Sequence, residues 1–386
     1  MATSQTVHVS QPSDGPRMRL RERAFVRMLK NLRGGQIDLT LPSGARVMVG
    51  EGGAVAFEMT IYRPSFFKKV LSAGSVGFGE AFVDGDWDAA DLSGLLVLFA
   101  RNQKDLGRIG HGFSLIAQQM NRLYHKARSN SLEQSRANIQ EHYDLSNDFY
   151  ATFLDSSMTY SSACFESDGQ SLESAQVTKI DRMLDLAGVG EGSTILEIGS
   201  GWGSLAVRAA RRGCRVKTIT LSEAQHAYAR ALFEREGVSN CVEIALEDYR
   251  SQSGSYDAVL SCEMIEAVGR EYLPSYFEVI GRSLKSGGKA IIQAITIPDD
   301  RYEAYSRRCD WIQKHIFPGG HLPSPGAIRQ HVEQAGQMSV LAMQNFGRDY
   351  AETLRRWATA FNLAESKVES MGFDTTFRRK WNYYLS

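Results

Sequence analysis

Apolar and polar positions change period along this chain, and the changes mark its parts. Residues 1–16 are polar, contain Gly and Pro, and have no periodicity, which predicts a disordered tail. Over 17–33 (RMRLRERAFVRMLKNLR), Leu20, Phe25, Met28, Leu29 and Leu32 fall at roughly helical spacing. Between 36 and 63 the period shortens to that of strands, in the runs IDLTL, ARVMVG and VAFEMTIY, separated by P-S-G and G-E-G-G turns. Helical patterns follow at 64–73 and 91–125. These elements predict a compact α+β domain over 17–130. The polar stretch 126–137 (KARSNSLEQSRA) reads as a linker into a second domain at 138–386.

In that second part, apolar strands alternate with helices. Strands are expected at 194–199 (TILEIG), 215–221 (RVKTITL), 242–246 (VEIAL), 256–264 (YDAVLSCEM) and 289–296 (KAIIQAIT), with helices starting at 203 and spanning 223–236 and 271–284. Nearly continuous apolar strands with intervening helices imply a mostly parallel sheet covered on both faces, a doubly wound α/β domain.

The first of these strands runs into Glu197-Ile-Gly-Ser-Gly-Trp-Gly203. Gly199, Gly201 and Gly203 let the backbone turn tightly and approach a ligand at the carboxyl edge of the sheet, where such folds bind nucleosides. A dinucleotide fingerprint spaces its third glycine three residues after the second, whereas here the interval is two. That spacing, after an acidic residue, favours S-adenosylmethionine. Thr220, Ser222 and Gln225 gather after the second strand, and Glu247 and Asp248 after the third, where a carboxylate can meet the adenine amino group. Taken singly, Ser222 also reads as a helix N-cap and Glu247 as a solvated carboxylate. Their order on consecutive strands supports the cofactor site.

Length and composition suit a two-domain globular protein: 386 residues, 43% hydrophobic and 23% charged, which excludes disordered and collagen-like classes. There is no run of about 18 apolar residues and no secretory leader, so a cytoplasmic protein is expected. Cys164, Cys214, Cys241, Cys262 and Cys309 are scattered without a C-x-x-C pair, arguing for reduced thiols and against a disulfide framework or structural zinc. The formal net charge is zero, yet residues 17–33 carry seven basic side chains against Glu22 alone. A helix there either lies on anionic lipid or packs on its own domain. A nucleic-acid role would need a broader basic surface with stacking aromatics, so none is expected.

The segments EHYDLSNDFYATFLDSSMTYSSACF (141–165), LESAQ (172–176), ILEIGSGWGS, TLSEAQ, EDYR (247–250), IFPGGHLPS (316–324) and NFGRDYAETLRRW (345–357) together resemble the cyclopropane fatty acid synthase family over nearly the whole second domain. The resemblance implies a class I, Rossmann-like methyltransferase domain that moves the methyl group of S-adenosylmethionine to an alkene in a membrane phospholipid acyl chain, through a carbocation. The protein is then expected at the inner membrane face. An alkene is a poor nucleophile, so alignment in a dry apolar tunnel must assist it. Tyr160, Phe165, Tyr305, Trp311, Phe317 and Phe346 are candidates to line that tunnel or to serve as plain core.

In the resembling family a bicarbonate ion, cradled by a Cys, a Glu, a His, an Ile backbone and a Tyr, takes the proton that closes the ring. The matching positions here are Ser162, Glu266, Gln293, Ile295 and Tyr350, with Tyr160 and Ser161 assigned to the cofactor. Ser162 replaces the cysteine, Gln293 the histidine, and Ala267 a further histidine. A neutral amide cannot become cationic, so bicarbonate is expected to be held less firmly, and a methyl-branched or methylene chain is favoured over a ring. Glu266 is the candidate to orient or replace the base; its alternative is a structural carboxylate at a strand end. Other open readings are a true cyclopropane synthase, a methyltransferase of a soluble small molecule, and a non-catalytic lipid- or cofactor-binding subunit. The resembling family typically continues past NYYL (382–385) with another helix and strand, whereas this sequence ends at Ser386. Its methyl-branching members sometimes work beside a flavin-dependent reductase or desaturase, which makes such a partner a candidate here, and the oligomeric state, a homo-oligomer included, is left open.

Overall fold

The computed structural model describes residues 17–52, 56–103 and 145–386. The expected tail (1–16), the linker (126–137) and the later part of the helical stretch 91–125 lie outside the described residues. The chain forms two compact units, one of Met1–Ala117 joined by Thr375–Tyr384 and Ser386, the other of Gln118–Asp374 with Leu385.

In the first unit, α1 (Leu20–Leu29) precedes β1 (Gln36–Thr40), β2 (Arg46–Val49), β3 (Ala56–Ile61), α2 (Ser65–Ala73), α3 (Ser75–Val83), β4 (Trp87–Ala89) and α4 (Leu92–Arg101). The sheet order is β2-β1-β3-β4, with β1 and β3 parallel and both outer pairs antiparallel. Strand periodicity places Ile37 and Leu39 in the core and leaves Asp38 half-buried. The apolar face of α1 settles on this same core: Phe25 meets Phe66 and Phe67 of α2 edge-on, with ring centroids 5.0 and 5.8 Å away. Of the two readings of residues 17–33, the one that packs the helix on its own domain holds for that face. Arg17, Arg19, Arg21, Arg23 and Arg27 remain exposed outside it.

α3 and β4 had no counterpart in the sequence pattern. Gly77 and Gly79 blur the helical period of α3, and Gly77 exists for packing, since a Cβ there would sit 2.0 Å from the Lys69 carbonyl oxygen of α2.

The second unit carries the short α5 (Asn147–Tyr150) and α6 (Leu172–Ala187), then β5 (Thr194–Ile198), α7 (Ser204–Arg211), β6 (Arg215–Thr220), α8 (Glu223–Arg235), β7 (Val242–Leu246), β8 (Tyr256–Cys262), α9 (Leu273–Ser283) and β9 (Leu284–Gln293). After these come α10 (Asp299–Ser306), α11 (Trp311–His315), α12 (Pro325–Ala335), α13 (Gly347–Leu363) and α14 (Glu365–Ser370). All four strand pairings are parallel, in the order β7-β6-β5-β8-β9. Ile195 faces a cluster containing Leu184, Leu205 and Phe233, while Leu196 and Ile198 face Ile265, Phe277 and Ile280. Burial on both faces is why these strands read as continuous apolar runs.

The last helix, α15 (Thr375–Leu385), belongs almost wholly to the first unit, although the sequence division at 138 assigns it to the second domain. Arg379 explains this. Its guanidinium donates to the Phe82 carbonyl at 2.7 Å, the Trp87 carbonyl at 2.8 Å and the Asp88 carboxylate at 2.9 Å, and lies 4.0 Å from the Phe82 ring centroid.

Candidate active site

Strand order switches sides at β5, with β6 and β7 laid down on one side and β8 and β9 on the other, so a crevice opens beyond the carboxyl ends of the central strands. A cleft lies there, lined by Tyr160, Ser161, Glu197, Gly199, Gly201, Thr220, Gln225 and Glu247 among the sequence-assigned residues. Gly201 (φ +49°) has open space where a Cβ would stand, so its backbone can meet a ligand directly. Gly203 (φ +97°) serves packing instead: a Cβ would meet the Phe233 ring at 2.8 Å, and the residue is not part of the cleft wall.

Two other assigned residues have local partners instead of facing the cleft. Ser222 caps α8 by accepting the Gln225 N–H at 3.2 Å. Asp248 is held in a two-pronged pair by Arg250 at 2.8 and 2.7 Å. Glu247 does face the cleft, and the Lys217 ammonium 3.1 Å away, with the Gln252 amide, keeps its carboxyl below the usual carboxylate range.

Glu197 is only 3% exposed, and burial pushes it up to about 8 against the opposing effects of Thr218 and Lys179. Its Oε2 is buried without a hydrogen-bond partner. An orphaned carboxylate oxygen, an unobstructed glycine and hydroxyl and amide groups at the second strand end suit a cationic amino acid joined to a nucleoside, so S-adenosylmethionine fits these residues.

Lys179, missed in the sequence, is 2% exposed on α6 and reaches into the cleft. Its ammonium donates to Ser161 Oγ at 2.6 Å and lies 3.7 Å from Cys262 Sγ. It supplies positive potential to Glu197 and to a second missed residue, Glu263. Burial nevertheless pushes the Cys262 thiol up to about 11, leaving it protonated near neutrality.

Glu263 gathers two of the five assigned catalytic residues. Its Oε1 accepts the Ser162 N–H at 2.9 Å and the Gln293 side-chain N–H at 2.8 Å, and Gln293 also donates to the Ser162 carbonyl at 3.0 Å. Glu266 Oε1 accepts the Ile295 N–H, while Glu266 Oε2 is buried without a partner. Burial first, and the neighbouring Glu263 second, push Glu266 up to about 8. Tyr350 stands on the first turn of α13, which is tied to the Ser162 segment at two points. Thr353 accepts the Ala163 N–H at 3.1 Å, and Asp349 accepts the Phe165 N–H at 3.2 Å.

The candidate tunnel aromatics separate into groups. Tyr160 lines the cleft and packs 5.3 Å from Trp357. Tyr305 faces the His321 ring at 5.4 Å in the segment that contacts Glu266, where the His321 N–H donates to the Glu266 carbonyl at 2.7 Å. Phe165 lies under the Arg356 guanidinium at 4.5 Å. Trp311 is buried core on α11, next to His315. Phe317 accepts the Gly320 N–H through its carbonyl, and Phe346 is the half-buried residue before α13.

A doubly wound parallel sheet with a glycine turn after its central strand and nucleoside-binding groups at successive strand ends defines a class I S-adenosylmethionine-dependent methyltransferase. The sequence profile of mycolic acid cyclopropane synthetase matches residues 130–386, and the chain belongs to that family; it is an S-adenosylmethionine-dependent methyltransferase. It is 41% identical over 335 residues to tuberculostearic acid methyltransferase UfaA1 of Mycobacterium tuberculosis, covering 84% of this chain and 78% of that protein. It is 34% identical over 353 residues to cyclopropane-fatty-acyl-phospholipid synthase of Escherichia coli K12, covering 89% and 86%. The structure of mycolic acid cyclopropane synthase CmaA1 complexed with SAH and CTAB aligns with TM-score 0.60 and 30% identity, over 65% of this chain and 90% of that one.

Proposed function

We propose that this enzyme methylates the double bond of an unsaturated acyl chain in membrane phospholipid and releases a methylene or methyl-branched chain instead of a cyclopropane. The relatives' names support an acyl acceptor: one is a cyclopropane-fatty-acyl-phospholipid synthase, another a tuberculostearic acid methyltransferase. The observation that carries the choice of product is Gln293, which stands where the resembling ring-forming family has histidine. Its amide donates to Ser162 and Glu263 and cannot accept a proton at neutral pH.

S-adenosylmethionine supplies an electrophilic methyl group on a sulfonium. The chain's own residues hold and shield the reacting atoms. Glu197, Gly201, Thr220, Gln225 and Glu247 bind the nucleoside and amino-acid parts, and Tyr160 presents a π face to the cation that forms on the acyl chain. A hydride shift then places the charge on the methyl-bearing carbon, and loss of one methyl proton leaves a methylene group, C=CH2, on the chain. Saturating that bond takes a hydride and a proton, the chemistry of a flavin-dependent reductase partner.

Expression in a host lacking the activity, followed by lipid mass spectrometry with double-bond localisation, tests the reading. A methylene or methyl branch is expected; a ring-containing product overturns the choice of product. A requirement for phospholipid vesicles separates this reading from methylation of a soluble small molecule.

A further inference from the structure

The bicarbonate that the family resemblance implies does not fit the residues present. The Ser162 N–H and one Gln293 amide hydrogen are occupied by Glu263 Oε1, and the other Gln293 hydrogen is directed to the Ser162 carbonyl. The Ile295 N–H is occupied by Glu266. Donors at three of the five expected cradle positions are therefore satisfied by the protein's own carboxylates. An added anion would find few donors and would lie against like charge.

We propose that the Glu263 carboxylate is the resident base of the reaction, standing in for bicarbonate and taking the proton that the methylated acyl cation loses. The inference rests on the acyl-chain reading above.

Glu263 follows directly on β8 with φ +48°, a left-handed backbone that a non-glycine residue rarely adopts, while its N–H still donates to the Gln293 carbonyl at 2.9 Å. It lies on the cleft wall with Lys179, Glu197 and Gly199, whereas Glu266 does not. Burial pushes both carboxyls up; at Glu263 two N–H groups on Oε1 and the Lys179 ammonium oppose it, while Glu266 has an unpartnered oxygen and is pushed up further by Glu263 itself. More donors therefore support the charged form of Glu263 than that of Glu266. His321 is engaged elsewhere, with Nε2 3.1 Å from the Tyr302 hydroxyl.

The step balances as follows. A C–H bond of the transferred methyl breaks, its electron pair becomes the π bond of the methylene group, and the proton joins a Glu263 oxygen to give the carboxylic acid, which returns the proton to water through the open cleft.

The test uses the full-length enzyme, S-adenosylmethionine and dioleoyl phosphatidylglycerol vesicles in carbonate-free buffer, with and without millimolar sodium bicarbonate. Formation of S-adenosylhomocysteine and the lipid product are followed, and calorimetry with S-adenosylhomocysteine verifies that each variant retains its cofactor cleft. Wild-type turnover is expected to be indifferent to bicarbonate. Glu263→Gln should fall about 100-fold and stay low, and Glu263→Gly should fall similarly but recover about tenfold on adding bicarbonate, since removing the side chain frees its donors. Independently of turnover, the 13C line of labelled bicarbonate should broaden with the Glu263→Gly protein and not with wild type. Bicarbonate-dependent wild-type turnover, a line broadened by wild type, or full activity in Glu263→Gln overturns the proposal. If wild type makes no S-adenosylhomocysteine on vesicles, the acyl-chain reading fails by itself, and the 13C comparison decides whether Glu263 fills the anion's place.

Discussion

Two carboxylates three residues apart, Glu263 and Glu266, close the end of β8, yet the resemblance drew notice to only one. Glu263 acquires its role from a left-handed backbone and from partners 101 and 30 residues away, neither of which a local pattern encodes. Lys179 escaped for a similar reason, since one lysine on an amphipathic helix looks like any solvated one. By contrast Glu197, Gly201, Thr220, Gln225 and Glu247 were legible because strand ends in this fold converge by topology alone. Ser222 and Asp248 lay at the right strand ends but were claimed by closer partners. The raised carboxyls carry a pH prediction. Between pH 4.5 and about 8 the folded protein keeps protons on Glu197 and Glu266 that the unfolded chain has released. Their contribution to stability is thus fully present below pH 4.5 and declines as pH rises through about 8. Thermal melts of cofactor-free protein at pH 5 and pH 8 should show the decline, and Glu197→Gln or Glu266→Gln should each flatten it by at most about 1.4 kcal/mol per pH unit.

At the scale of elements, the glycine turn after β5 divides its duties. Gly201→Ala meets no atom and carries only the strain of a left-handed backbone (φ +49°), so the expected outcome is a loss of about 1–2 kcal/mol in stability with a loss of S-adenosylhomocysteine affinity of about tenfold or more by calorimetry. Gly203→Ala forces a Cβ into Phe233 at φ +97° and should lower stability by about 2–3 kcal/mol in chemical denaturation. The reverse ordering would show that the sequence motif had been divided wrongly. The five parallel strands were readable because burial on both faces leaves long apolar runs. α3 was not, because the glycines that let it approach α2 remove the side chains on which a helical period depends.

Considered whole, the molecule is formally neutral but not evenly so. Among the described residues no helix is long and apolar enough to cross a membrane. The basic row on α1 and the residues just before it faces outward while its apolar side is fixed in the core. If this row meets anionic lipid, neutralising Arg19, Arg23 and Arg27 together should weaken sedimentation with phosphatidylglycerol vesicles by about 100-fold at low salt, at roughly 1 kcal/mol per charge. Unchanged vesicle binding would remove the row from the membrane contact. The return of α15 to the first unit is the long-range feature that no local pattern reveals, because Arg379 meets partners nearly 300 residues earlier. Arg379→Ala should destabilise that unit by about 2–3 kcal/mol, read as earlier proteolysis within residues 17–103.

That return also sets a timetable for biogenesis. A ribosome adding about 5–20 residues per second releases the first unit's strands tens of seconds before the helix that completes them. During the wait Phe82 and Trp87 lack the Arg379 cover, so a nascent chain halted before Thr375 would be a natural client for chaperones that hold exposed aromatic surface.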